Sequence, residues 1–133
     1  MNKTTTIVLW IAQITAAIIM LQTLYFKFSA SPESVYIFTT VGMEPYGRIG
    51  IGIGELIASV LLFIPALRWM GGLMGMGLMS GAIFFHLTIL GIDVMGDGGK
   101  LFFMALAVFV ASGIVVLLER ENMIIFIKKI RPA

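Results

Sequence analysis

Apolar residues run for close to the thickness of a bilayer four times along this chain, at positions 7–28, 47–67, 68–90 and 100–118. A hydrocarbon layer about 30 Å thick takes roughly 20 helical residues to cross, so runs of this length read as spans. Composition agrees, with 59% hydrophobic and 12% charged residues and a mean hydropathy of +1.05, outside the soluble globular range. A chain of 133 residues has room for about four such spans and little else. The predicted fold is therefore all-α, a four-helix transmembrane bundle forming one domain over residues 1–133. The chain has no cysteine, which excludes disulfides, thiolate metal ligands and a thiol-disulfide relay. A thinly spread formal charge of +2 gives no reason to expect nucleic acid as a partner.

The second run, RIGIGIGELIASVLLFIPAL from Arg48 to Leu67, contains a carboxylate, Glu55. An ionised Glu at mid-span costs about 2.5 to 3.5 kcal/mol on insertion scales, so such a group faces the bundle interior and has a partner. Gly50, Gly54 and Ala58 form a small-xxx-small stripe on the same helix, which admits a close neighbour. In the first run Gln13, Ala16, Met20, Thr23 and Lys27 follow the helical period and place amide, hydroxyl and ammonium on one side, expected to face the bundle. That run is longer than the h-region of about 7 to 15 residues in a secretory signal, so the helix is expected to be retained.

Between the first two spans, Ser31 as N-cap, Pro32 at the first helical position, Glu33 in the first turn and Gly42 as a stop predict a short helix over Pro32 to Val41. It is too short to span and sits at the interface, either as a lid over the bundle mouth or as a connector with aromatic anchors. The third run alternates Met70, Met74, Met76 and Met79 with glycines. Gly71/Gly75 and Gly77/Gly81 predict close packing on the second helix, and the methionines read as adaptable core rather than a cofactor box. His86, the single histidine, lies near the far end of this run on a mostly apolar face. In the loop DVMGDGGK, Asp93 and Asp97 lack calcium-loop spacing and read as turn chemistry, with Asp97 able to cap the fourth helix. The segment ERENMIIFIKKIRPA, with its IIFI patch and basic end, suits the surface of an anionic leaflet.

Four spans put both termini on one side, with Lys3, Arg68, Arg120, Lys128, Lys129 and Arg131 against Lys27, Arg48 and Lys100 on the other. The positive-inside bias then places the termini in the cytoplasm of a bacterial-type inner membrane. Lys27, Glu55 and His86, from three different helices, converge in the outer half of the bundle.

These residues carry a resemblance. Lys27 ending the first helix, G-x-G-E at Gly52 to Glu55, G-A-x-x-x-H at Gly81 to His86, and D-G-G before the LFFMALAVF helix together resemble the DoxX family of four-helix membrane proteins, over nearly the whole chain. The resemblance implies a compact bundle with a polar site, and a link to membrane redox systems that use quinone as acceptor. Other members of that family resemble assembly helpers for membrane proteins. From the residues alone, coupled Lys27, Glu55 and His86 suit proton handling or the polar head of a small lipophilic ligand such as a quinone. A buried ion pair that only sets helix register accounts for the same residues. No metal is expected, because one His and one Glu are too few ligands, and no haem, flavin or nucleotide motif is present. Two function classes follow: an accessory to a membrane redox system, and a non-catalytic partner or assembly helper for other membrane proteins.

Overall fold

The computed structural model describes residues 1–131, and the last two residues of the basic terminal segment lie outside the described residues. Helices α1 (Lys3–Phe28), α2 (Pro32–Thr40), α3 (Tyr46–Leu61), α4 (Arg68–Phe85), α5 (Lys100–Leu118) and α6 (Arg120–Ile130) follow in order, with no strand among the described residues. α4 runs on through a π-helical turn, His86–Leu90. Three of these elements are long and apolar enough to cross a membrane: α1, α4 with its π-helical extension, and α5. Their outward faces carry Ile11, Ile18, Leu87, Val110 and Leu117, as a lipid-facing surface requires. Helices also pair their own backbone groups internally, which hydrocarbon demands.

α1 packs on α3 and α5, and α4 packs on the same two, so the four long helices form a ring with α1 and α4 on one diagonal. Ala16, Ala17 and Met20 from α1 meet Ala58 and Leu62 of the α3 end, Met79 of α4, and Val108 and Val115 of α5 in the core. The inward stripe of α1 is Gln13, Ala16 and Met20, fully buried, continuing upward to partly buried Thr23 and Lys27.

The second run does not form a single helix over 47–67. α3 stops at Leu61 and spans 16 residues, about 24 Å at helical rise. Pro65 is the physical reason, since its ring would clash with the carbonyl of Leu61 and it has no N–H to donate. The chain turns through Phe63 N to Val60 O and Ile64 N to Leu61 O, both 3.1 Å, before α4 begins at Arg68.

The glycine stripes divide. At Gly71 an added Cβ would stand 2.8 Å from both the Ala58 carbonyl oxygen and the Leu62 amide nitrogen, so α4 meets the end of α3 backbone to backbone. Gly75 faces α5 rather than α3, where the Ser112 side chain occupies the place of such a Cβ. Gly77, Gly81 and Gly50 meet nothing within 4 Å. The expected packing of the Gly77/Gly81 stripe on the second helix is thus corrected: at that height the wider side chain Leu78 makes the contact, against Gly54.

Candidate functional site

α2 forms as its local signals require. Ser31 Oγ accepts from the Ser34 amide, Pro32 occupies the first turn, and the chain leaves through Gly42 at φ +76°. Its inner face, Ser34 and Phe38, is buried against the tops of α1, α3 and the π-helical turn. Beneath it lies a cavity of about 500 Å³, within the usual range for small-molecule sites. Its walls are apolar, including Ile37, Phe38, Leu78, Phe85 and Val108, with Met20 and Met79 deeper in the bundle.

Lys27, Glu55 and His86 all line this cavity. Lys27 Nζ lies 2.8 Å from Glu55 Oε1 as an ion pair that is off hydrogen-bond alignment. Glu55 is 2% exposed. Thr23 Oγ donates to the Met20 carbonyl at 2.9 Å and approaches Glu55 Oε2 at 3.4 Å. The carboxylate on α3 thus meets an ammonium and a hydroxyl that stand one helical turn apart on α1.

His86 does not join that pair. Its Nδ1 lies 2.9 Å from the Gly91 carbonyl, and its ring meets Phe102 edge-on with centroids 5.6 Å apart. The π-helical turn brings His86 and Gly91 together, and Gly91 ends it at φ +79°, a conformation open to glycine.

The loop above the cavity is organised by carboxylates. Asp97 Oδ1 accepts from the amides of Val94 at 3.0 Å and Gly99 at 2.8 Å, and Oδ2 from Leu101 at 3.2 Å, which caps the start of α5. Partial burial works against ionisation of Asp97, but these three amides and the nearby His86 hold its carboxyl below the ordinary carboxylate value. Asp93 accepts from Gly96 and Gly98 in the same way.

Two arginines treated above only as topology markers have structural tasks. Arg48 is buried at the top of α3, where Nε pairs with Glu44 at 2.8 Å and a guanidinium N–H donates to the Lys27 carbonyl. It therefore ties the end of α1, and with it Lys27, to α3. Arg68, 8% exposed, donates to Leu62 O at 3.0 Å and to Glu119 at 3.0 Å, and lies 5.7 Å over the Trp10 ring. That second ion pair closes the opposite end of the bundle. The clue in the sequence was a charged residue at each margin of an apolar run, but nothing in the spacing of Arg68 and Glu119 announced their pairing.

No family model, curated protein or solved structure matches this chain.

Proposed function

We propose that the cavity beneath α2 binds a small lipophilic molecule with a polar head, a quinone being the first class to consider, and that the protein serves a membrane redox system as an accessory. The observation that carries this reading is that Lys27, Glu55 and His86, from three helices, line one apolar cavity of about 500 Å³. An ammonium that keeps free N–H groups after pairing with Glu55 can donate to a carbonyl oxygen, while the methionines accommodate an apolar body. The chain holds no electron carrier of its own by any motif, so the redox chemistry belongs to the ligand and a partner. In this reading α3, although short, is the fourth span of a DoxX-like bundle in a bacterial-type inner membrane, with both termini cytoplasmic. The resemblance rests on the Lys27, Gly52–Glu55, Gly81–His86 and Asp97–Gly99 pattern. A span of about 24 Å is accommodated by local thinning of the bilayer.

The test is thermal unfolding of the detergent-purified protein with a short-tailed quinone in its reduced, hydroquinone form. Saturation at a hundredfold excess over the dissociation constant stabilises by about 2.7 kcal/mol, and the shift is expected in the wild type but reduced in Lys27→Met and His86→Ala. Equal stabilisation of all three would mean partitioning into detergent and would remove the site.

A second reading, an assembly helper or structural partner, is favoured by the open Gly77/Gly81 stripe on the exposed side of α4, flanked by Leu73 and Phe84. It expects copurifying membrane proteins that are lost in Gly77→Leu, and no thermal shift with any quinone.

A further inference from the structure

The hydrogen bond between His86 and Gly91 determines which proton the imidazole carries. A backbone carbonyl only accepts, so Nδ1 must be the protonated nitrogen at the 2.9 Å contact. In the neutral ring the other nitrogen, Nε2, is then a bare acceptor. It has no hydrogen-bond partner among the described residues, although the residue is 5% exposed and lines the cavity. The remaining polar groups differ in kind. Lys27 offers N–H donors, while Thr23 already donates to Met20 and leans toward Glu55, and both oxygens of Asp97 are taken by amides. The acceptors that could take an O–H from a ligand are His86 Nε2, the Glu55 carboxylate, which is already engaged by Lys27, and Gln22, Ser31, Glu33 and Ser34 toward α2; of these His86 Nε2 is the buried one that only accepts and that no other group engages.

We propose that His86 Nε2 is the acceptor for a ligand hydroxyl, so the cavity selects hydroxyl-bearing heads, phenols and hydroquinones, over heads of the same shape whose oxygens carry no proton. This deepens the ligand-binding reading above and rests on it. Lys27 supplies the complementary donor for a second oxygen on the same head. A site arranged around an acceptor rejects a ligand that leaves it unpaired, and one such hydrogen bond amounts to about a tenfold difference in dissociation constant.

The decisive probe is a pair of molecules: a short-tailed hydroquinone and its dimethyl ether, which keeps the ring and the tail but has no O–H. Binding of each is measured to the purified wild type and to His86→Asn, by calorimetry under a reducing atmosphere. Asn is chosen because its side-chain amide can still donate to the Gly91 carbonyl from near the Nδ1 position, yet it leaves nothing at the position of Nε2. The expected result is that the wild type binds the hydroquinone about tenfold tighter than the ether, and that His86→Asn binds both alike at the ether's affinity.

Equal affinities for the two probes in the wild type overturn the proposal while leaving the ligand site standing. A preference that survives in His86→Asn also overturns it and places the discrimination on another group of the cavity wall. Binding of neither probe by the wild type overturns the ligand-binding reading and this proposal with it. If His86→Asn proves unstable, the wild type decides alone: His86 is the single histidine, its ring is labelled with 15N, and an Nε2 resonance that responds equally to the hydroquinone and to the ether overturns the proposal.

Discussion

Glu55 has its counter-ion at 2.8 Å, and Lys27 remains 16% exposed toward the cavity while the carboxylate is 3% exposed. The two partners are therefore not equivalent on removal. Glu55→Gln deletes the charge and leaves an amide that can still meet Thr23, whereas Lys27→Met strands a buried carboxylate. Breaking a fully buried pair from one side costs about 3 to 5 kcal/mol, and the partial exposure of Lys27 lowers that figure here. Lys27→Met is expected to lose clearly more thermal stability in detergent than Glu55→Gln, and equal, negligible losses would show a solvated group with no pair. Asp97 acts through pH. Its folded carboxyl titrates below the ordinary carboxylate value, so its contribution is complete above the range where an unfolded Asp ionises and is lost as pH falls through the lowered folded value. Hydrogen exchange at the Val94, Gly99 and Leu101 amides is expected to accelerate over that acidic interval in the wild type. In Asp97→Asn those amides are expected to be less protected at every pH, with no such transition.

At the scale of elements, α3 and α4 show how glycine and proline divide the work. Pro65 cuts the second apolar run and leaves α3 short, while Gly71 lets α4 close against its end at backbone distance. Because the atoms facing Gly71 are backbone and cannot rotate away, Gly71→Ala is expected to cost about 1 to 3 kcal/mol, the range for overpacking. Gly77 faces open space, and there the same substitution relieves the helix of glycine's entropy, a gain of up to about 1 kcal/mol. The measured order Gly77→Ala, wild type, Gly71→Ala in thermal stability checks both placements, and a neutral Gly71→Ala would mean that α3 and α4 do not touch there. The final helix contributes differently. No residue of α6 is buried, and its attachment to the bundle includes Phe126 against Trp69, with centroids 5.4 Å apart. Lys128 and Lys129 stand in its last turn beside exposed Ile124, Ile127 and Ile130, a combination suited to an anionic bilayer surface.

For the whole molecule, the two ends of the bundle are built alike and loaded differently. One end is closed by Arg68, Glu119 and Trp10, and the other opens into the cavity under α2 with Lys27, Glu55 and His86 on its walls. The proposed orientation puts the closed end at the cytoplasm. The chain has no native cysteine, so single cysteines report it cleanly. Ser31→Cys and Gly96→Cys are expected to react with an impermeant maleimide from the outer face of intact cells, and Lys129→Cys only after the cytoplasmic face is opened. Reaction of Gly96→Cys from the cytoplasmic side alone would invert the arrangement.

The class of fold was legible in the residues, because the length of an apolar run and the period of its polar positions are local properties that a bilayer turns directly into helices. The same holds for the Ser31–Pro32 start of α2, the Asp97 cap of α5 and the inward stripe from Gln13 to Lys27, each governed by neighbours a turn away. The need of Glu55 for a partner was legible too, since a carboxylate in hydrocarbon is costly wherever it stands. Which partner it takes was decided in three dimensions: Lys27 and Thr23 reach it from α1, while His86 is held back by the Gly91 carbonyl through a π-helical turn that no apolar period announces. The Arg68–Glu119 pair, the outward turn of Gly77, and the cavity itself belong to the tertiary structure for the same reason. Each depends on which faces of helices distant in sequence meet, and a pattern read along one helix contains no record of its neighbour.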